Sequence, residues 1–172
     1  MAEFLPAIEG VLVREGGLVD DPNDAGGLTN MGISWRTYKS VFPHAVIEDL
    51  RHLTVDQAKA VYNQLFWNMT RLRELNSQQI ANSLLDAAVN LGIAEMVKIA
   101  QRACNAVKGQ PDWLVVDGVM GQKTVDAIND YSFVILRVAI RSERCAVYKL
   151  IVAKNPSQEK FLQGWLNRAH SV

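Results

Sequence analysis

The chain has 172 residues, 49% of them hydrophobic and 21% charged, a globular composition that excludes disorder as a description of the whole. At this length, one compact domain or a domain with a small appended lobe buries roughly 70% of the surface of the unfolded chain, so folding needs neither a metal nor a disulfide staple. Eighteen Lys and Arg balance eighteen Asp and Glu; with no basic field to release counterions, nucleic acid is excluded as a principal partner.

In chain order, Phe4, Ile8, Val11 and Leu12 follow helical spacing and predict a first helix ending about Arg14, stopped by Gly16 and Gly17. From Leu18 to Ile33 the periodicity is lost among Asp20, Asp21, Pro22, Asn23, Asp24, Gly26 and Gly27, which predicts a small β-hairpin or a tight loop. Ser34 is placed to cap a short helix ending before Pro43. Thr54 with Gln57, and Asn76 with Gln79, have capping-box spacing ahead of two further helices, the second closed by Gly92.

Ile93 to Val107 is amphipathic again, and 109–121 reads as a second loop. A long helical pattern runs from about Gln122 to Lys154 with a break near Tyr131-Ser132. Asn155-Pro156 ends it, and Ser157 is placed to cap the last helix. Cys104 and Cys145 have no CxxC spacing, and buried thiols or a single disulfide both fit them. The first ten residues carry Glu3 and Glu9 but no Lys or Arg, so no secretory signal is expected. No stretch approaches the ~20 apolar residues of a membrane span, and stable membrane insertion is not expected.

The chemistry concentrates in residues 15–33. Glu15 stands where a helix ends; a carboxyl backed by apolar residues at such a junction is desolvated and its pKa raised, as a general acid requires. Asp24 lies in a polar, glycine-rich turn where a carboxylate stays hydrated and ionised. Two carboxyls in unlike environments are the usual apparatus of glycoside hydrolysis. The Thr29 hydroxyl is placed to position water. Asp-rich turns are also simply turns, and composition alone leaves that reading open. A calcium loop does not fit, because Pro22 and Met31 stand where that loop wants ligands. Asp86 and Asn90, four apart on one helix face, and Gln101 are candidate substrate contacts, with structural hydrogen bonding as the other reading. The four tryptophans fit sugar stacking or the core and its rim alike.

Residues 14–33 resemble the Glu-Gly-Gly signature of the glycoside hydrolase 108 family of N-acetylmuramidases. The resemblance is carried by Glu15-Gly16-Gly17, Asp21-Pro22-Asn23-Asp24, Gly26-Gly27-Leu28-Thr29 and Gly32-Ile33; Leu18 departs from it, standing where the family often has an aromatic. Downstream, Leu85 to Gly92, Ala100 to Ala103, Asp117 to Thr124 and Gly164-Trp165-Leu166-Asn167-Arg168 resemble the peptidoglycan-binding region usually fused to that signature.

The resemblance implies a mainly α, lysozyme-like fold with one small hairpin beside the cleft. It divides the chain into a catalytic lobe, 1–75, and a helical peptidoglycan-binding-like lobe, 76–172, packed as one unit. It implies cleavage of the β-1,4 bond between N-acetylmuramic acid and N-acetylglucosamine, with glycan strands as partner and no cofactor. The family's catalytic glutamate falls on Glu15. The order Glu15, Asp24, Thr29 is similar to that of phage T4-type lysozymes, with the Asp-to-Thr gap one residue shorter, and by that analogy Asp24 and Thr29 hold the attacking water. A monomer made in the host cytoplasm and released to the wall through a holin-type pore, or by another export route, is expected. Two alternatives remain at this point: a non-catalytic wall-binding module, and a muramidase serving secretion rather than lysis. The tail offers Arg168 and His170 as its basic groups, too few to draw the protein to an anionic outer membrane.

Overall fold

The computed structural model describes residues 1–19 and 28–171. Helix α1 spans Phe4–Glu15, followed by strands β1 (Thr29–Asn30) and β2 (Ile33–Ser34). Helices α2 (Trp35–Val41), α3 (Ile47–Arg51) and α4 (Val55–Tyr62) come next, and α4 continues into a π-helical turn, Asn63–Trp67. The second half holds α5 (Gln78–Leu91), α6 (Ile93–Lys108), α7 (Gln122–Asp130), α8 (Phe133–Lys154) and α9 (Glu159–His170). This is a mainly α, lysozyme-like architecture with one two-stranded antiparallel sheet among the described residues.

Helix α5 is the axis of the core. It buries Ile80, Ala81, Ser83, Leu84, Leu85, Asp86, Ala87 and Ala88, a surface apolar but for Ser83 and Asp86 that wraps most of its circumference, as expected of a helix enclosed on several sides. Helices α1, α6 and α8 pack on it, and α9 packs on α8. Each fully buried leucine on α5 contributes roughly 1.5–3 kcal/mol of transfer free energy, which fixes α5 firmly relative to its neighbours. Asp86, fully buried on α5, therefore occupies a rigid, dry position.

The local signals explain most boundaries. Ser34 accepts from the Thr37 backbone N–H at 3.3 Å, and Thr54 and Gln57 form the reciprocal capping box at the start of α4. Two caps differ from the sequence expectation. Ser77, not Asn76, caps α5, accepting from Ile80 N–H at 3.3 Å, while the Asn76 N–H is taken by the Asn129 carboxamide. At the other end, Asn155 rather than Ser157 supplies the cap: its side chain accepts from Ser157 N–H and starts a 3-10 turn, Pro156–Gln158, that leads into α9. Helix α3 has no counterpart in the sequence expectation, since five residues are too short to establish a period. Helix α1 runs through Glu15, one residue beyond the expected end.

Thr29 pairs with Ser34, and Asn30 with Ile33, across a two-residue turn. That turn, Met31-Gly32, has φ of 48° and 74°, the paired positive values that a type I′ hairpin demands. The Asn30 carboxamide donates to the carbonyls of Leu50 (2.9 Å) and Arg51 (3.2 Å), which ties the hairpin to α3. A bridge between Val19 and Thr29 joins the hairpin to the chain leaving α1. The end of α1 and the hairpin turn are thus brought face to face. Both cysteines are free thiols; Cys104 is buried, and burial pushes its pKa up to about 12.

Candidate active site

Glu15 is the last residue of α1, and its side chain is 16% exposed. On one side it faces the hairpin. A Cβ built on Gly32 would strike the Glu15 Oε2 atom and lie 2.8 Å from the Tyr62 hydroxyl. Glycine is therefore required at 32 twice over, for its positive φ and for the space that the carboxylate and phenol occupy. Tyr62, at the end of α4, donates its hydroxyl to the Met31 carbonyl at 2.8 Å. Burial, and secondarily the negative charge of Glu15, raise the Tyr62 pKa above the ordinary phenol value, against a smaller opposing effect from Arg168. The phenol thus stays a donor and pins the turn against Glu15.

On its other side Glu15 meets Arg168 from α9, whose Nη2 donates to Oε1 at 2.6 Å. The same guanidinium reaches back to Asp86 on α5, with Nη2 at 2.9 Å from Oδ1 and Nε at 3.1 Å from both carboxylate oxygens. Asp86 is 0% exposed and is also bound by Arg144 of α8 (2.5 Å) and approached by Arg14 of α1 (3.6 Å). Arg144 Nε donates to the Tyr148 hydroxyl (2.8 Å), which donates in turn to Asn90 Oδ1 (2.6 Å). Burial works to lower the Arg168 pKa, but the hydrogen bonds and charges of Asp86 and Glu15 outweigh it and hold the guanidinium above its ordinary value. The Glu15 side chain keeps some contact with solvent, and its neighbour on this side is a guanidinium rather than the apolar wall expected at such a junction.

Glu15, Asp86 and Asn90 are therefore joined in one network. Thr29 stands on β1, in the hairpin whose turn packs on Glu15, with its backbone paired to Val19 and Ser34. Asp24 lies outside the described residues. Gln101 belongs to a different network: its amide donates to Asp117 Oδ1 (2.8 Å) and the Val119 carbonyl (3.2 Å), and its carbonyl accepts from Gly118 N–H (3.1 Å). The Gln101 hydrogen bond, followed by the Val119 backbone N–H, holds the Asp117 carboxyl below the usual range. Of the tryptophans, Trp67 is buried against Phe4, and Trp165 stacks between Tyr148 and Phe161.

Arg144, Arg168, Tyr62 and Gly32 were not among the sequence candidates. A signal for Arg144 exists: Leu136, Ile140, Arg144 and Tyr148 follow one another at intervals of four, all buried, so a cation sits in an apolar stripe and needs a buried anion. Arg168 reads in the sequence as a tail charge, but its side chain is only 15% exposed and turns inward. Trp165 and Arg168, three apart on α9, share a face. Trp165 docks on Tyr148 while Arg168 enters the charge cluster, so the Trp and the Arg of the Gly-Trp-x-x-Arg ending have separate physical duties.

Residues 8–92 match the family described as Glycosyl hydrolase 108. The region 8–92 belongs to that family. Residues 95–170 of this glycosyl hydrolase match the family described as Predicted Peptidoglycan domain, the two regions meeting at the α5–α6 junction. Among solved structures, the hydrolase is similar to that of SagA from Brucella abortus, with a TM-score of 0.78 and 28% identity over 98% of this chain and 90% of that one. No curated protein matches the sequence. The two family matches together make the chain a glycoside hydrolase that acts on peptidoglycan. No helix among the described residues is long and apolar enough to cross a membrane.

Proposed function

We propose that this hydrolase is an N-acetylmuramidase that cleaves the β-1,4 bond between N-acetylmuramic acid and N-acetylglucosamine, with Glu15 as general acid. The observation that carries the reading is the setting of Glu15, a partly accessible carboxyl at the end of a rigid helix, fixed from two sides. Arg168 takes Oε1, which leaves Oε2 to carry the proton. That proton passes to the glycosidic oxygen as the C1–O bond of the muramic residue breaks. Water then adds to C1, and its second proton is lost to a base, so the muramic residue becomes the new reducing end. Asp24 is assigned the activation of that water, with Thr29 positioning it and Asn90 at the cleft wall, while the buried Asp86 stands behind Arg168. By analogy with the T4-type order the reaction inverts the anomeric centre.

Within this reading the enzyme acts as a monomer at the wall, after release from the cell in which it is made, in a lytic setting such as a phage endolysin. Reduction of the digestion products with borohydride followed by mass spectrometry tests the bond assignment. Fragments ending in reduced muramic acid are expected. Fragments ending in reduced glucosamine would move the cleavage to the other glycosidic bond.

A further inference from the structure

Residues 95–170 match a predicted peptidoglycan domain, a description that suggests a wall-binding attachment to a catalytic unit. The placement of Arg168 points elsewhere. It is the residue that touches the Glu15 carboxyl oxygen at 2.6 Å, and it comes from α9, 153 residues away in the chain. Its anchor, Asp86, comes from the other matched region, as does Glu15. The side chain that supports Asp86 from beneath, Arg144, is again from 95–170.

We infer that residues 95–170 form the second half of the active site, with Arg168 as a positioning residue that fixes Glu15 and Asp86 as the buried anion that fixes Arg168. This rests on the muramidase reading of Glu15. The physical case is one of rigidity and shape. A glutamate side chain at a helix end has three rotatable torsions, and the order it gains comes from partners. Asp86 is fully buried on the most enclosed helix of the molecule, so it cannot follow a moving guanidinium and instead holds it still. Arg168 then uses the fork of a planar guanidinium, with Nε and Nη2 on Asp86 and Nη2 also on Glu15, a bridging that a single ammonium does not reproduce. The hairpin turn bounds a second side at Gly32. An acid held this way stays within reach of the leaving oxygen, and a displacement of about 1 Å costs on the order of 100-fold in rate.

The test uses the full chain and purified peptidoglycan sacculi, with kcat, KM, sedimentation of the protein with sacculi, and the thermal midpoint all measured for Arg168→Ala and Arg168→Lys. For Arg168→Ala, kcat is expected to fall roughly 100-fold, with KM and sacculus binding unchanged; Arg168→Lys is expected to recover part of the loss, staying about 10-fold below wild type. Where Arg168→Ala fails to fold, Arg168→Lys carries the test. Wild-type kcat in a folded Arg168→Ala protein, or in Arg168→Lys where that variant carries the test, overturns the inference. So does a rise in KM with weaker sacculus binding and unchanged kcat, which would make Arg168 a wall-binding residue. Reducing-end release by wild type and its loss in Glu15→Gln, run beside these, separate a failure of this inference from a failure of the muramidase reading.

Discussion

Two buried polar networks lie on adjoining helices and do different work. On α5, Asp86 gathers Arg14, Arg144 and Arg168; on α6, Gln101 gathers Asp117, Gly118 and Val119. Both side chains sit in apolar helical sequence and both are almost wholly buried. The Gln101 network is held by a neutral carboxamide and ends on loop backbone, so it fastens 109–121 to α6, a task Asn105 shares by bonding Pro111 and Leu114. The Asp86 network is charged and ends on Glu15, a carboxyl that solvent reaches. Burying several charges is costly unless each is paired. Polar burial of the first kind organises a loop, and of the second kind, on the proposed function, it aims the acid.

Substitutions sharpen that contrast. Asp86→Ala leaves Arg144 and Arg168 without their shared anion, and a cost of about 3–5 kcal/mol is expected. Thermal unfolding should fall by roughly 10 °C or more, with hydrolysis lost in the fraction that folds. Gly32→Ala meets both the positive φ and the Glu15 carboxylate. It should cost about 1–3 kcal/mol in stability but roughly 10- to 100-fold in turnover, a ratio that steady-state kinetics beside a melting curve reads directly. Gln101→Ala should cost about 1–3 kcal/mol and leave kcat and KM unchanged. A raised KM with an unaltered melting curve would instead make Gln101 a substrate contact and erase the distinction between the networks.

What could be read in the sequence was local. Thr54 with Gln57, Gly92, and the glycine pair after Glu15 act through neighbours a few residues away, and the structure has them at the expected helix ends. The signature of residues 14–33 located Glu15, and the spacing of Asp86 and Asn90 placed them on one face of α5. Missing were the partners. Arg144 and Arg168 reach Asp86 across 58 and 82 residues, and Arg168 reaches Glu15 across 153. Helical periodicity carries no information over such distances. It does mark Arg144 as a charge inside an apolar stripe, which calls for an anion without naming it. The requirement for Gly32 is likewise a matter of space next to Glu15, visible only once α1 and the hairpin are packed.

On the proposed mechanism, the Glu15 carboxyl delivers the proton in glycoside hydrolysis. The most direct measurement is reducing-end release from purified peptidoglycan by wild type and by Glu15→Gln, with both proteins checked for equal melting behaviour. Glu15→Gln keeps the shape and an oxygen for Arg168 but has no acidic proton to give. Release by wild type and none above background by a folded Glu15→Gln protein is the predicted result. Release at a similar rate by both would contradict it, and binding to the wall without release by either would leave a wall-binding module in place of an enzyme.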